Sequence, residues 1–512
     1  MHNRTPYLMK TYLYLIFLII LFESCGISKS AVSPTKKYSR QQLEKDYDIF
    51  QSMLEQTHPG LYWYTSKDSM DAYFKWGRDQ IKDSATESSF RNILTYVAAR
   101  INCGHTSVRS SKAASRFTDT IRPKVFPLSL KLWKASREGA EDTAAITTNL
   151  FRRDSVLKRG TIIKSVDGHS MQGLIDTMSR YISSDGYNKT HKLQSISNTG
   201  TFGRLYTMLY GVSDKYRIEY VDSTGSIKQV TIPVYDPAKD TMFRRAIGSL
   251  SPLSKRDQRR RRVETTRILK VDSANHTAYM ELHSFGRDYR LQKFFRQSFR
   301  NLKKYKISHL IIDVRSNGGG SVTNSTVITK YLAQKPFKVA DSLYAVKKRN
   351  TYGKYIQNNF FNKLFITFLT KRNKKGEYHF GYFERHYFKP KAKNHFDGKV
   401  YILTGGNSFS ATTLFANCII KQENVMVVGE ETGGGAYWNT AWLIPDVSLP
   451  VTGVRFRLPL FRLVIDKNIP KDGRGVRPEV ESVPTQKTIA SGADFKLDKA
   501  MELIKADKKM QY

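Results

Sequence analysis

Two turns in the C-terminal half of the chain set reactive residue types where backbone amides can serve them. The first, Thr404-Gly405-Gly406-Asn407-Ser408-Phe409-Ser410-Ala411-Thr412-Thr413, follows an apolar strand pattern at 400 to 403 and precedes a helical one at 411 to 420. A serine at such a junction lies among unpaired amides at the positive end of a helix dipole, which favour the negative charge that develops in acyl transfer. An N-cap serine leaves the same local pattern, so Ser408 and Ser410 each stand as capping or nucleophilic residues. The second turn, Arg315-Ser316-Asn317-Gly318-Gly319-Gly320, follows the apolar run 310 to 314. Three glycines let the backbone approach a ligand and turn its amides toward it, or simply make a tight strand-to-helix turn. Brought together in one sheet, the two turns supply a hydroxyl nucleophile and a pair of oxyanion donors.

The elements that must position them are legible as patterns. From Ile268 onward strands and helices alternate, with strands at 310 to 314, 400 to 403 and 425 to 428 and a helix at 411 to 420, which predicts a βαβ unit in a mainly parallel sheet. The front of the chain reads as helical. Ser39 with Gln42 makes a capping box, Leu43, Tyr47, Phe50 and Leu54 form one stripe, and His58-Pro59-Gly60 stops the helix. A second helix begins near Asp68, and a third carries Phe90, Ile93, Leu94, Val97 and Ile101; the bundle ends in Asn102-Cys103-Gly104-His105-Thr106-Ser107-Val108. Between these regions, Leu157 to Gly168 reads as a turn, a strand and an Asp-Gly turn. Tyr216, Ile218 and Tyr220 pair with Val230, Ile232 and Val234 as a hairpin, and 183 to 210 reads as an insertion.

Composition narrows the classes further. The 512 residues carry 84 Lys+Arg against 45 Asp+Glu, a formal charge of +39, with 40% hydrophobic and 12% aromatic residues, which excludes a disordered, collagen-like or polytopic membrane protein. Three cysteines, Cys25, Cys103 and Cys418, exclude a disulfide-built scaffold. Common nucleic-acid motifs, zinc spacings and phosphate-cradling loops are not found, so nucleic acid is not expected as a partner. The arginine-rich stretch Lys255, Arg256 and Arg259 to Arg262 reads as a solvated exposed loop. A polyanion-binding envelope role rests on that charge alone. Residues 344 to 390 are aromatic and basic, with Tyr355, Phe360, Phe361, Phe365 and Phe368, and read as an inserted helical hairpin; a lid or a membrane-facing element is the alternative. His58, His283 and His309 read as structural.

The amino terminus reads as an address. Lys10 precedes an apolar run from Tyr12 to Phe22 of signal-peptide length, and Leu21-Phe22-Glu23-Ser24-Cys25-Gly26 resembles a loose bacterial lipobox with Cys25 as the lipidated residue; an ordinary cleaved signal peptide is the alternative. Removing residues 1 to 24 takes away Arg4, Lys10 and Glu23, leaving 82 − 44, or +38, on the remainder.

Four motifs in order carry a family resemblance: Asp313-Val314-Arg315-Ser316-Asn317-Gly318-Gly319-Gly320; Ser408-Phe409-Ser410-Ala411-Thr412-Thr413-Leu414-Phe415-Ala416; Val428-Gly429-Glu430-Glu431-Thr432-Gly433-Gly434; and Gly475-Val476-Arg477-Pro478-Glu479. They resemble the landmarks of the C-terminal processing, or tail-specific, serine peptidases, and the stretch at 157 to 168 resembles the middle of a PDZ domain. The resemblance implies a mixed α/β multidomain protein: an N-terminal helical bundle, a PDZ-like β-rich domain and an α/β, ClpP/crotonase-like peptidase core. The corresponding boundaries are a signal peptide at 1–24, a tether at 25–37, helices at 38–118, a PDZ-like unit at 119–236, a basic linker at 237–265 and a catalytic domain at 266–512.

The same resemblance selects Ser410 as nucleophile, with Ser408 as runner-up, and the amides of Gly319 and Ala411 as the oxyanion hole. In one branch a lysine acts as base; its position here is Gly435. The branch built like the tricorn core uses a histidine, and His105 stands where that residue is expected, with an imidazole suited to proton relay near neutral pH. Thr106, Ser107 and Glu430 are candidates for its orienting partner. The family's glutamate after the nucleophile corresponds to Thr413. The implied activity is serine-type hydrolysis of peptide bonds in protein or peptide substrates, with no metal or cofactor. The setting is the cell envelope, as an outer-membrane lipoprotein facing the periplasm. A catalytically degenerate, peptide-binding scaffold of the same fold is the alternative. In a bacterial host fed an alkyne fatty acid, the wild-type chain should take up label and Cys25→Ala should not; label retained by the variant overturns the lipobox reading.

Overall fold

The computed structural model describes residues 35–120, 123–135, 141–241 and 253–510. The apolar run, the lipobox and Cys25 lie outside the described residues.

A six-stranded sheet forms the centre of the C-terminal half, in the order Arg267–Asp272, Thr277–Leu282, His309–Asp313, Lys399–Thr404, Val425–Gly429 and Val480–Glu481. The first pair is antiparallel and every later pairing is parallel. Its inner strands read as continuous apolar runs because both faces are covered. Leu310 and Ile312 face one core with Phe299, Phe415 and Ile419, whereas Ile311, on the opposite face, packs with Leu403, Val428 and Ile504 of the final helix, Phe495–Met510. The pairing of Asp313 with Leu403 sets the glycine turn and the serine turn side by side at the C-terminal ends of adjacent parallel strands. Open α/β sheets place their ligand sites at such strand ends.

The front helices share a core with the rear of the chain. Helix Arg40–Thr57 starts at Ser39, whose side chain and that of Gln42 form the capping box. Its stripe Leu43, Tyr47, Phe50 and Leu54 is buried in one cluster with Leu343, Ile366, Phe456 and Phe461. Phe50 meets Phe456 edge-on at 5.1 Å. Asp46 on the same helix is buried and accepts from the Val451 and Thr452 amides at 3.0 and 2.8 Å. Helices Lys67–Asp79 and Glu87–Ala99 complete this layer.

The middle region is an antiparallel sheet of Leu128–Trp133, Thr143–Asn149, Ile162–Val166, Lys215–Val221 and Ile227–Pro233, with the short strand His169–Ser170 beside Ile162–Val166. The insertion supplies helices Lys189–Ser197 and Thr201–Tyr210, which pack on that sheet through Leu193, Ile196, Phe202, Leu205 and Tyr206.

Two expectations change. The arginine cluster is a helix, Lys255–Thr266, capped by the Ser254 side chain on the Asp257 amide and braced by Arg260 and Glu264 one turn apart, with only Thr266 buried. Capping and an i,i+4 pair suffice for a helix without an apolar stripe. Residues 344 to 390 are not a helical hairpin. Its α-helices are Asn359–Leu369 and the short Gly381–Arg385, after a single 3-10 turn at Gly353–Tyr355; between the two helices the Asn373 side chain accepts the Glu377 amide and makes a turn. That turn yields a ribbon, Lys371–Arg372 with Tyr378–His379, which joins a five-stranded sheet.

The middle sheet is bolted to the C-terminal core by charge. Lys131 from the former and Lys496 from the latter flank Glu430, at 4.0 and 2.6 Å, with all three side chains at most 14% exposed. Burial lowers the Lys496 pKa to about 8 even though Glu430 opposes the shift. Burial also works against Glu430, but the two ammonium charges hold its carboxyl below the usual value. Glu430→Gln strands two buried cations and should cost about 3 kcal/mol at pH 7 in urea unfolding. Because Lys496 discharges in the folded chain above about pH 8, that deficit should narrow at pH 9.

Candidate active site

Ser410 is the residue before helix Ala411–Ile419 and has φ 57° and ψ −122°, a backbone conformation that costs a non-glycine residue about 1–3 kcal/mol. The surroundings enforce it. Ser408 is fully buried, its hydroxyl donating to Val314 O at 2.8 Å and accepting the Gly405 amide at 3.2 Å, and the Phe409 amide donates to Asn317 O. Those bonds rivet the serine turn to the glycine turn. Ser410 is half-buried, and among the described residues its hydroxyl has no hydrogen-bond partner.

Gly319 packs directly on this elbow. Its φ is +95°, and a Cβ there would stand 2.7 Å from Ser410 Cβ and 2.9 Å from Ala411 N, so both conformation and space demand glycine. The Ala411 amide, at the first turn of its helix, has no acceptor among the described residues. The Gly319 amide is engaged, donating to Asn317 Oδ1 at 2.9 Å. Asn317 is itself fully buried, with Nδ2 unpartnered.

His105 reaches the elbow from the front module. Its ring, 5% exposed, lies 4.7 Å from the Phe409 ring, next to Ser410 in sequence. Neither ring nitrogen has a hydrogen bond, and Nδ1 is 3.8 Å from Asp185 Oδ1. Asp185 is buried and comes from the insertion of the middle region. One carboxylate oxygen accepts the Gly104 amide at 2.8 Å and the other accepts the Gly435 amide at 3.1 Å. A Cβ at the neighbouring Gly434 would stand 3.1 Å from Ser410 N, which carries the cluster back to the nucleophile candidate.

A second imidazole, His191, stacks on Phe409 at 5.0 Å with Nδ1 2.7 Å from Gly406 O. Burial lowers its pKa, so the neutral ring donates from Nδ1 to that carbonyl. Gly104, Ser107, His191 and Asn198 line a cavity of about 740 Å³ between the front helices and the insertion helices. Asn198 also bonds the Asn407 side chain of the serine turn, at 3.0 Å.

The other sequence candidates are engaged elsewhere. Thr106 Oγ1 bonds His58 Nε2 at 2.7 Å and donates to Cys103 Sγ; burial, and then Arg462, lowers His58 to about 3, so its ring is neutral. Ser107 accepts the Arg457 amide through its carbonyl. Glu430 belongs to the lysine bolt, Thr413 Oγ1 donates to Ser408 O at 3.3 Å, and the Gly435 amide serves Asp185. Arg315, prominent in the glycine motif, clamps Asp313 and Asp494. Sequence reasoning missed Asp185, His191 and Phe409. Ser184-Asp185-Gly186 looks like any polar turn, and its distance along the chain from both turns hides its part in the site.

The architecture is mixed α/β and multidomain, with a strained serine at a strand-to-helix elbow, and the comparisons give the family of the domain that carries it. Residues 276–482 match the model of Peptidase family S41. The chain therefore carries a peptidase domain of family S41, the C-terminal processing peptidases, at 276–482. Among solved structures it is similar to mature CPAF complexed with lactacystin, at 12% identity and a TM-score of 0.61, covering 92% of this chain and 99% of that one. Mature CPAF alone gives 13% identity and a TM-score of 0.58 over 91% and 97% of the two chains. At such identities the likeness is one of fold. No curated protein matches the sequence.

Removing the Ser408 hydroxyl leaves Val314 O and Gly405 N unpaired, so Ser408→Ala should lose about 2 kcal/mol. Ser410→Gly relieves the strained φ and should gain about 1 kcal/mol. Opposite signs in thermal unfolding check the distinction between clamp and elbow.

Proposed function

We propose that the chain is a serine-type peptidase of the histidine-using branch, working in the bacterial cell envelope on protein or peptide substrates. The observation that carries this reading is the His105 imidazole packed against Phe409, with a buried carboxylate beside it and an unpartnered Ser410 hydroxyl at the adjacent helix start. Ser410 Oγ attacks the scissile carbonyl carbon. His105 takes the hydroxyl proton and returns it to the leaving amine, then activates the water that releases the acyl group. Asp185 orients the ring once the 3.8 Å gap closes to hydrogen-bond length, a tightening that substrate binding commonly brings.

The Ala411 amide holds the oxyanion; the Gly319 amide joins it when the substrate oxygen replaces Asn317 Oδ1. The signal-like amino terminus and Cys25 support an outer-membrane lipoprotein facing the periplasm. The open His105–Asp185 pair and the occupied Gly319 amide also fit a peptide-holding scaffold that does not cleave. Fluorophosphonate labelling separates the two. The wild type should label and Ser410→Ala should not, while His105→Ala should lower kcat/KM on an unstructured peptide by roughly 10³-fold. Absent or equal labelling of wild type and Ser410→Ala, with peptide affinity kept in His105→Ala, favours the scaffold.

A further inference from the structure

Helix Asn359–Leu369 turns its large apolar side chains outward. Phe360, Phe361 and Phe368 are 71%, 67% and 74% exposed, and Leu364 and Leu369 are 42% and 52% exposed. Its inner face holds on by Asn362 and Ile366, with Phe365 packed edge-on against Phe380 and Phe461. Tyr382 and Tyr387 on the neighbouring segment are also more than half exposed. An apolar patch of this kind on a folded surface marks an interaction site.

Its surroundings select the partner. Residues 347 to 393 contain 13 Lys+Arg and 2 Glu, a balance of 13 − 2, or +11. Among the described residues none of those cations is in an ion pair, while Glu377 and Glu384 are both engaged with His379. Lys347, Arg349, Lys354, Lys371, Arg372 and Lys374 are among the exposed ones. A second copy of this face would set +11 against +11, which disfavours self-association through the same patch. A bilayer bearing anionic headgroups satisfies both features at once, taking phenylalanines into the headgroup–acyl boundary while the lysines and arginines meet phosphates. The helix has 11 residues, and no helix among the described residues is long and apolar enough to cross a membrane. It would therefore lie in the interface plane.

We infer that Asn359–Leu369 and its basic flanks form a docking surface by which the folded body lies on an anionic lipid bilayer. The surface is independent of the roles assigned to Ser410 and His105. The Gln357 amide, just before this helix, donates to Asp446 O, and the three-stranded sheet of Asp446–Ser448, Arg455–Arg457 and Val108–Arg109 continues from there to the segment that carries His105.

The test places an environment-sensitive NBD label at Phe368→Cys in the full chain, on a Cys25→Ala, Cys418→Ala background. Vesicles of phosphatidylglycerol and phosphatidylcholine should shift its emission to the blue and brighten it several-fold, and high salt should reverse much of the change. A label at Ile227→Cys, exposed on the middle sheet, should not respond. Adding Phe360→Ser and Phe361→Ser should weaken the response about tenfold without altering far-UV circular dichroism. No response at 368, an equal response at 227, an equal response to phosphatidylcholine alone, or a concentration-dependent shift without lipid, which would mean a second copy covers the helix, overturns the inference.

Discussion

One buried carboxylate holds the site together. Asp185 receives the Gly104 amide from the front helices and the Gly435 amide from the peptidase core while belonging itself to the middle region. A carboxylate taken out of water must be matched by donors, and here the donors come from two other parts of the chain. The requirement to satisfy that charge is thus the same requirement that holds the His105 loop against the serine elbow. The carboxylate oxygen that stands 3.8 Å from the imidazole Nδ1 is the one already bound to the Gly104 amide.

The peptidase core adds rigidity of a different origin. Parallel pairing of His309–Asp313 with Lys399–Thr404 fixes the two turns as neighbours, and the Ser408 hydroxyl closes the gap between them. Strain at Ser410 persists because the turns on both sides are over-determined by hydrogen bonds and by glycine packing without a Cβ. Two serines that look interchangeable in the sequence are therefore distinguished by environment: one hydroxyl is consumed in the scaffold, the other is left facing outward.

The sequence was most readable where a single period or a local turn decides structure. The capping box at Ser39, the both-faces-buried strand at 310 to 314 and the serine junction at 410 are all local signals of that kind. The arginine cluster misled because charge without an apolar stripe resembles solvated coil, yet a cap and one ion pair favour a helix. The aromatic stretch at 344 to 390 misled because its apolar spacing is helical while the Asn373 turn diverts residues 371 to 379 into a ribbon. Ser410, Gly319 and Ala411 were selected as candidates through the ordered motifs, and His105 through the histidine-using branch of the same resemblance. Asp185 was not, because what makes it special is where three distant segments meet, and nothing in its own neighbours records that.

The shared core has a consequence for how the molecule is made. Helix Arg40–Thr57 rests on Val451 and Thr452, 405 and 406 positions downstream of Asp46, and on Phe456 beyond them. Contacts so remote in sequence form late. During synthesis the early helices Lys67–Asp79 and Glu87–Ala99 can cover part of the stripe through Phe74, Phe90 and Leu94, but Phe456 cannot reach Phe50 until nearly nine-tenths of the chain has emerged, a long interval in which a holding chaperone would find the uncovered remainder. The same delay keeps the His105 loop from meeting Phe409 until the serine turn itself has emerged.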